Sequence, residues 1–280
     1  MGRTDPGSLG DGVEWAPEQE EAFTNEGSPA FLCGGFQVAT AAAKADEKIT
    51  DAFRHGGGLG WHEHHHDVFE GTERFFRPGY AASLVDEWLP ALTGVTSRLA
   101  AGGRVADIGC GHGASTKIMA EAFPASEFIG FDYHGPSIEV ARRNAEAAGL
   151  SNASFDVAPA SEFPGTGFDL VCFFDCLHDM GDPVGALIHT RNALAPDGSV
   201  MLVEPAAGDS VEENLNPIGR VFYAASTLIC TPASQSQDVG LALGAQAGPA
   251  RLIDVAQQAG FTSARVAART PFNIVLELRQ

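Results

Sequence analysis

Basic residues and long apolar runs are what this sequence has least of. Its 280 residues include 17 Lys and Arg against 36 Asp and Glu, which gives a formal net charge of −19. A protein that grips nucleic acid or an anionic membrane needs clustered positive charge, so we expect neither as a partner. No stretch approaches the roughly 18 apolar residues that span a bilayer. The N-terminus, MGRTDPGSLGDGVEW, lacks the apolar core of a secretory signal.

Cysteine is also scarce. The five cysteines are Cys33, Cys110, Cys172, Cys176 and Cys230. An odd number cannot pair completely in disulfides, and most of these residues stand in apolar surroundings, so we expect buried, reduced thiols. Reduced thiols are typical of a cytoplasmic protein, which is the compartment that we predict.

The chain divides into three zones by composition. Residues 1–30 are rich in Gly, Pro, Glu and Asp and are predicted to be an extended lead-in. Residues 31–100 carry helical patterns, one over 36–58 that ends in glycines and one over 79–95. From residue 101 to residue 280 the pattern changes to short apolar runs that alternate with helical stretches. We therefore predict a helical segment followed by an α/β domain.

The α/β zone has the pattern of βαβ units. Five runs rich in apolar and β-branched residues are predicted strands, at 104–109, 127–132, 153–157, 168–174 and 199–205. Helical stretches separate them, one of which is predicted over 182–198, and a further helix follows at 249–261. Two final runs, at 263–270 and 272–279, are predicted to pair antiparallel at the sheet edge. This alternation predicts a doubly wound, mostly parallel sheet with helices on both faces.

A metal-like motif stands in the helical zone. The stretch WHEHHH contains His62-Glu63-x-x-His66, which fits the H-E-x-x-H pattern of zinc metalloproteases. That pattern needs a helix and a third ligand, whereas a GGGLG stretch just before it favours a loop or a helix start. One family of zinc proteases continues the motif with Gly and His, where this sequence has Phe69 and Thr72. Another family takes its third ligand, a Glu, from a later helix, and Asp86 and Glu87 fall near that position. We therefore keep the zinc hydrolase only as an alternative and expect no metal.

Strand-end residues carry the stronger signal. After the first strand comes Asp107-Ile-Gly109-Cys-Gly111-His-Gly113, and glycines there let the backbone approach a ligand. The spacing fits neither the dinucleotide fingerprint nor the phosphate loop. The second strand ends at Asp132, about 20 residues on, where an acidic residue can accept both hydroxyls of a ribose. The sequence thus indicates a nucleoside-containing ligand at the carboxyl edge of the sheet.

Taken in order, four stretches resemble one family. VADIGCGHGAST, FIGFDYH, FDLVCFFDCLHDM and LAPDGSVMLVEP match the successive motifs of class I S-adenosylmethionine-dependent methyltransferases. The resemblance covers residues 101–280 and implies a Rossmann-like, seven-stranded sheet. The helical segment 31–100 resembles the lid of an actinobacterial-type, small-molecule subgroup. Members of that subgroup usually begin with a winged-helix dimerisation domain, of which residues 1–30 resemble only a remnant, so the resemblance leaves a homodimer as an open alternative.

The resemblance implies roles for particular residues. It implies that S-adenosylmethionine, with S-adenosylhomocysteine as its product, contacts ten residues. Asp107 faces the methionine amino group, Asp132 holds the ribose hydroxyls, and Tyr133 stacks on adenine. Pro159 replaces the acidic residue that many relatives place near adenine, so recognition there relies on the backbone. The ten are Tyr80, Asp107, Gly109, Gly111, Asp132, Tyr133, Pro159, Ala160, Phe174 and Asp175.

The acceptor side is predicted from two stretches. Leu177-His178-Asp179 resembles the His-Asp-Trp stretch of plant-type small-molecule O-methyltransferases, in which the histidine is the general base, and imidazole suits that task. A substrate pocket is expected around Trp61, His62, His65 and Phe76. The predicted function is methyl transfer to oxygen or nitrogen of a small, apolar or aromatic acceptor. The alternative, a cofactor-binding module without catalysis, shares every one of these motifs.

Overall fold

A seven-stranded sheet organises the chain. The computed structural model describes residues 15–280. The strands are β1 (Arg104–Ile108), β2 (Glu127–Asp132), β3 (Ala153–Val157), β4 (Phe168–Phe174), β5 (Leu194–Pro205), β6 (Ser263–Arg269) and β7 (Asn273–Arg279). Their order is β3-β2-β1-β4-β5-β7-β6. Strands β1 to β5 run parallel, while β7 pairs antiparallel with both β5 and β6. The predicted Rossmann-like, mostly parallel sheet is therefore confirmed.

Within residues 15–280, six α-helices precede the sheet. They are α1 (Pro17–Phe23), α2 (Cys33–Ala43), α3 (Asp46–His55), α4 (Asp67–Ser83), α5 (Leu89–Ala91) and α6 (Val95–Ala101). A π-helical turn, Leu84–Trp88, joins α4 to α5. Helices α2 and α4 pack against each other through Gly34 and Gly71, where an added Cβ would meet the backbone or side chain of the other helix within 3 Å. These small residues let two helices approach closely and place α4 above the sheet edge.

Two predictions for the N-terminal zones differ from the structure. The lead-in was predicted to be extended, yet Pro17–Phe23 is a helix, with Pro17 in its first turn and Glu18 and Glu20 near its positive end. The single helix predicted over 36–58 is broken, because Ala45 leaves the helical region at φ −102° and ψ 13°. No Gly or Pro marks that break. Residues 1–14 of the lead-in lie outside the part that the structure describes.

The remaining helices cover the sheet or follow β5. They are α7 (Ala114–Ala122), α8 (Gly135–Ala147), α9 (Pro183–Ala193), α10 (Pro217–Ala225), α11 (Thr231–Gln235) and α12 (Pro249–Gln258). A π-helical turn, Ser226–Cys230, connects α10 to α11. The helix predicted to reach residue 198 ends at Ala193, because β5 begins at Leu194. Helices α10 and α11 had no counterpart in the sequence prediction.

Apolar side chains fill both faces of the sheet. On one face, Phe131, Phe163 and Phe168 pack with residues of α9 and α12. On the other, Trp88 and Phe128 pack among residues of the helices that precede and follow β1. Burial on both faces explains why the central strands read as continuous apolar runs. Within residues 15–280, none of the helices combines the length and apolar character that crossing a bilayer requires.

Candidate cofactor and acceptor site

A cavity of about 550 Å³ opens at the carboxyl edge of the parallel strands. The loops after β1 to β4 line it on the sheet side, and α4, the turn Trp61–Glu63 and residues 236–238 line the other. This is the edge where doubly wound sheets bind ligands. Most predicted site residues meet there, namely Trp61, His62, Phe76, Tyr80, Gly109, Gly111, Asp132, Tyr133, Pro159, Ala160, Phe174 and Asp175. Asp107, His178 and His65 lie behind or beside the lining.

The glycine loop after β1 has a backbone that other residues rarely adopt. Gly109, Gly111 and Gly113 have φ values of 69°, 53° and 78°. A Cβ on Gly109 would lie 2.8 Å from the Cys176 sulfur, whereas a Cβ on Gly111 would meet nothing within 4 Å. The loop thus packs tightly below the cavity and leaves open space above Gly111. That arrangement suits close approach of a ligand to the backbone.

Asp132 ends β2 with its carboxylate at the cavity wall. The backbone N–H of Gly111 donates to Oδ2 at 3.0 Å, and that of His134 donates to Oδ1 at 2.8 Å. Burial raises the pKa of this carboxyl, and the two donors work against the shift. Since an ionised carboxylate has about four acceptor positions, two remain for a ligand in the cavity.

Asp107 lies at the end of β1 beneath the glycine loop. Its carboxylate is 1% exposed, and the hydroxyls of Ser115 and Thr116 donate to Oδ2 at 2.7 and 2.6 Å. Its Oδ1 is buried without a hydrogen-bond partner among the described residues. Burial raises the pKa of Asp107 to about 6. A buried acceptor without a partner costs free energy unless a ligand or water satisfies it.

The part of the cavity beyond β2 and β3 is lined by an aromatic ring and small side chains. Tyr133, directly after β2, is 48% exposed, and its ring lies edge-on to that of His62 with centroids 6.1 Å apart. Pro159 and Ala160 line the cavity after β3. Burial raises the pKa of the Tyr133 hydroxyl to about 12, so this ring stays neutral. A neutral aromatic face beside small residues can accommodate a planar base.

Asp175, directly after β4, has a strained backbone and a buried carboxylate. Its φ is 49°, a value that few residues other than glycine adopt. The Tyr80 hydroxyl donates to it at 2.6 Å, and the Asn273 amide donates at 2.8 and 2.9 Å. Burial raises the pKa of Asp175 to about 8 and that of Tyr80 well above its usual range. These bonds tie α4 to the ends of β4 and β7 at one corner of the cavity, where the rings of Tyr80 and Phe174 lie 5.2 Å apart.

His178 lies in the short 3-10 turn after β4, behind the cavity wall. Its Nδ1 is 2.5 Å from Glu204 Oε2, and its Nε2 is 3.2 Å from Asp179 Oδ1. Burial favours the neutral ring, but the two carboxylates together raise the pKa of His178 well above its usual value. Asp179, and not His178, lines the cavity. The general-base role of His178 therefore stays a prediction, and any proton from the cavity reaches His178 past Asp179.

Two side-chain pairs join α4 to the loops below it. His112 Nδ1, in the glycine loop, lies 2.8 Å from Glu73 Oε2 on α4. The ring of Phe69, also on α4, stacks on His134 with centroids 4.6 Å apart. His112 follows Gly111 directly. Helix α4 is therefore held on the same loops that face the cavity.

The metal-like motif does not form the helix that a zinc protease needs. Trp61–Glu63 is a 3-10 turn, and His66 precedes α4. Glu63 accepts a hydrogen bond from the Gly60 N–H at 2.8 Å. His62 lines the cavity. His65, which is outside the motif but was predicted in the substrate pocket, lies beside Asp67 near Lys44 and not in the lining. His62 and His66, the two histidines of the motif, thus do not share a helical face.

Sequence patterns did not point to several residues that line the cavity. These are Thr72, Glu73, His112, Cys176, Asp179, Met180, Gln237 and Asp238. His112 stands inside the glycine motif and Asp179 directly follows His178, so both could have been predicted as site residues from the motifs that contain them. Gln237 and Asp238 come from the segment after β5, which carries no motif. Only the folded chain brings that segment to the cavity.

Comparison with known proteins identifies the domain. A family model described as a methyltransferase domain matches residues 99–240, just over half of the chain. The demethylmenaquinone methyltransferase of Thermus thermophilus is 32% identical over 102 residues, which are 36% of this chain and 46% of that protein. The aklanonic acid methyltransferase of a Streptomyces species is 36% identical over 113 residues, 37% of this chain and 49% of that protein. The matched region thus spans about half the length of these relatives.

Solved structures share the fold over nearly the whole chain. Mitomycin 7-O-methyltransferase superimposes with a TM-score of 0.66 at 18% identity and covers 95% of this chain and 76% of its own. Human N-acetylserotonin methyltransferase, solved with S-adenosylmethionine, gives 0.64 at 16% identity, with 94% and 74% covered. At such identities the likeness shows the fold alone. Together with the family match, it confirms that the chain belongs to the class I S-adenosylmethionine-dependent methyltransferases.

Proposed function

We propose that this protein transfers a methyl group from S-adenosylmethionine to a hydroxyl of a small, apolar or aromatic acceptor. One observation carries the proposal. A single cavity is lined by the glycine loop and Asp132 on one side and by aromatic side chains of the helical segment on the other, among them Trp61, Phe69 and Phe76. The names of the relatives given above describe methyltransferases of small molecules, and this supports the same class of acceptor here.

The residues of the sheet side fit the cofactor. Asp132 keeps two acceptor positions for a ribose, and the space above Gly111 admits a ligand against the backbone. Asp107 Oδ1, buried and unpartnered among the described residues, suits an ammonium group reached directly or through water. Tyr133, Pro159 and the backbone of Ala160 provide the neutral surface proposed for adenine. When bound there, S-adenosylmethionine supplies an electrophilic methyl group.

The remaining task of the protein is to align the acceptor and exclude water. Alignment alone converts a bimolecular encounter into a step within one complex, which can supply about 7–11 kcal/mol of the barrier. Helix α4 covers the cavity through Glu73, Phe69 and Tyr80, and we propose that it acts as the lid. The acceptor proton would leave toward Asp179, which lines the cavity.

An acceptor series tests the proposed function. Aromatic compounds that carry a hydroxyl would be compared with their methoxy and amino counterparts, with S-adenosylhomocysteine formation and product mass as the readouts. We expect turnover only of the hydroxyl compounds. Products methylated at nitrogen would contradict the acceptor class. Cofactor binding with no turnover of any acceptor would favour the catalytically silent module instead.

A matched pair of variants tests the acceptor side. Phe76→Ala should raise KM for the acceptor about tenfold or more, because burying a phenylalanine stabilises by roughly 1.5–3 kcal/mol. Its affinity for the cofactor should change little. Phe53→Ala removes an equal side chain that is exposed on α3 and should leave both constants unchanged. Equal effects of the two variants would place the acceptor elsewhere.

A further inference from the structure

Three different metal-binding side chains meet beside the cavity. His178 and Asp179 follow β4, and Cys230 ends the π-helical turn in the segment after β5. One donor atom from each, a ring nitrogen, a carboxylate oxygen and the thiol sulfur, all lie within 4.8 Å of one another. His178 and Cys230 are buried. The fold thus brings the sulfur of Cys230 to the nitrogen and oxygen donors of two adjacent residues about 50 positions earlier in the sequence.

Glu204 orients the histidine of this group. Its Oε2 lies 2.5 Å from His178 Nδ1, and because a carboxylate can only accept, this pairing favours a proton on Nδ1. The other nitrogen, Nε2, then faces Asp179 at 3.2 Å. A carboxylate that holds one ring nitrogen while the other faces a metal is the usual support of a metal-binding histidine.

Asp179 supplies an acceptor that the protein itself does not satisfy. Its Oδ1 is buried, and none of the described residues forms a hydrogen bond with it, although His178 Nε2 lies 3.2 Å away. Leaving a buried charged acceptor unsatisfied costs about 1–3 kcal/mol or more. Asp179 also lines the cavity, so a cation bound at this oxygen would border the space available to the acceptor.

We propose that His178, Asp179 and Cys230 bind one divalent transition-metal ion, with zinc as the ion that best suits this mixed donor set. Zinc accepts nitrogen, oxygen and thiolate ligands, and three protein ligands leave a fourth position open. That the fourth position takes the acceptor hydroxyl rests on the proposed function; metal binding itself does not. A ligand role occupies Nε2, the atom that a general base would use, so the two roles for His178 exclude each other.

A second cluster on the surface provides an internal control. His65, His66 and Asp67 also place their donor atoms within 4.8 Å of one another. There, however, the Lys44 ammonium lies 2.8 Å from Asp67 Oδ2 and 3.3 Å from either ring nitrogen of His65. A fixed positive charge at that distance disfavours a metal ion. We expect tight binding at the buried group alone.

Titration of the full-length, chelator-treated protein with Co²⁺ alone tests the site. Cobalt replaces zinc in such ligand sets and reports a thiolate ligand by a near-ultraviolet absorption band, and excess zinc should remove that band. We expect one Co²⁺ per chain with the thiolate band. Cys230→Ser should abolish the band, and Glu204→Gln should weaken binding by about 10- to 100-fold, as loss of a supporting carboxylate does. Cys33→Ser and the double change His65→Ala, His66→Ala should leave the titration unchanged.

The outcomes separate this proposal from the proposed function. No saturable thiolate band, or a band that survives Cys230→Ser, would overturn the metal site while cofactor binding and turnover stay open to measurement. A band that meets every expectation, in a protein that methylates nothing, would instead contradict the proposed function. Circular dichroism and cofactor binding of each variant show that it is folded. If Cys230→Ser fails to fold, Glu204→Gln carries the test, because an unchanged cobalt affinity in that variant overturns the site as well.

Discussion

The predicted ribose contact at Asp132 can be tested quantitatively. Asp132→Ala removes a carboxylate that accepts from the backbone of Gly111 and His134 and still has two positions free toward the cavity. A hydrogen bond to a charged group contributes about 1.5–3 kcal/mol. The loss of one ribose bond alone should therefore weaken S-adenosylmethionine binding about tenfold or more, and the loss of two should weaken it further. Calorimetric titration of wild type and variant measures this difference directly.

Two further variants separate the ligand contact from the loop geometry. Asp132→Asn keeps one acceptor oxygen and should retain more affinity than Asp132→Ala. Asp156→Ala removes an exposed carboxylate from the neighbouring strand and should bind the cofactor like wild type. Far-ultraviolet circular dichroism establishes that each variant is folded. Unchanged affinity in a folded Asp132→Ala protein would refute the proposed ribose site.

Three shorter predictions concern the loop, the buried acid and α4. Gly113→Ala should destabilise the protein by about 1–3 kcal/mol in urea unfolding, because φ is 78° and the new Cβ would lie 2.8 Å from the Phe155 ring; a smaller loss would contradict the strain. Burial raises the pKa of Asp175 to about 8, above its unfolded value, so its contribution to stability is present at low pH and is lost as the pH rises toward 8. The Tm of the wild type should therefore fall over this pH range, and the Tm of Asp175→Asn should fall less. Parallel curves of Tm against pH for the two proteins would exclude Asp175 as the cause. Glu73→Gln weakens the contact with His112 and should speed cofactor release in stopped-flow measurements, whereas Glu87→Gln should not.

The sheet was predictable because its signals are local. Strands β1, β4 and β5 are apolar runs largely buried on both faces, and α7, α8 and α9 each begin near a glycine or proline, so the pattern indicates the type and chain order of these elements. The edge strand β3 buries only Phe155, and no helix follows it before β4. The sheet-side residues of the site were predictable for the same reason. Gly109, Gly111 and Asp132 stand at strand ends, and strand ends of a parallel sheet meet at one edge.

The rest depended on contacts between distant residues. Nothing in the sequence around Ala45 marks the break between α2 and α3. In the segment after β5, α10 does carry a local start signal, the N-cap Asn216 followed by Pro217, which the sequence prediction did not use. That this segment brings Cys230 and Gln237 to the site is indicated by no local pattern. The direction in which His178 points is set by Glu204, 26 residues away, and no spacing rule indicates that pair. Packing, rather than local propensity, decides these features.

The contacts of α4 couple the cofactor side of the cavity to the acceptor side. Glu73 contacts His112 in the glycine loop, and Phe69 stacks on His134 just before α8. Tyr80 donates a hydrogen bond to Asp175 after β4. These are the loops that the cofactor would contact. A ligand that stabilises the loops therefore stabilises their contacts with α4, and by linkage a closed α4 strengthens the hold on the ligand by the same free energy. Because α4 also carries Phe76 on the acceptor side, cofactor binding would shape the acceptor pocket before the acceptor arrives.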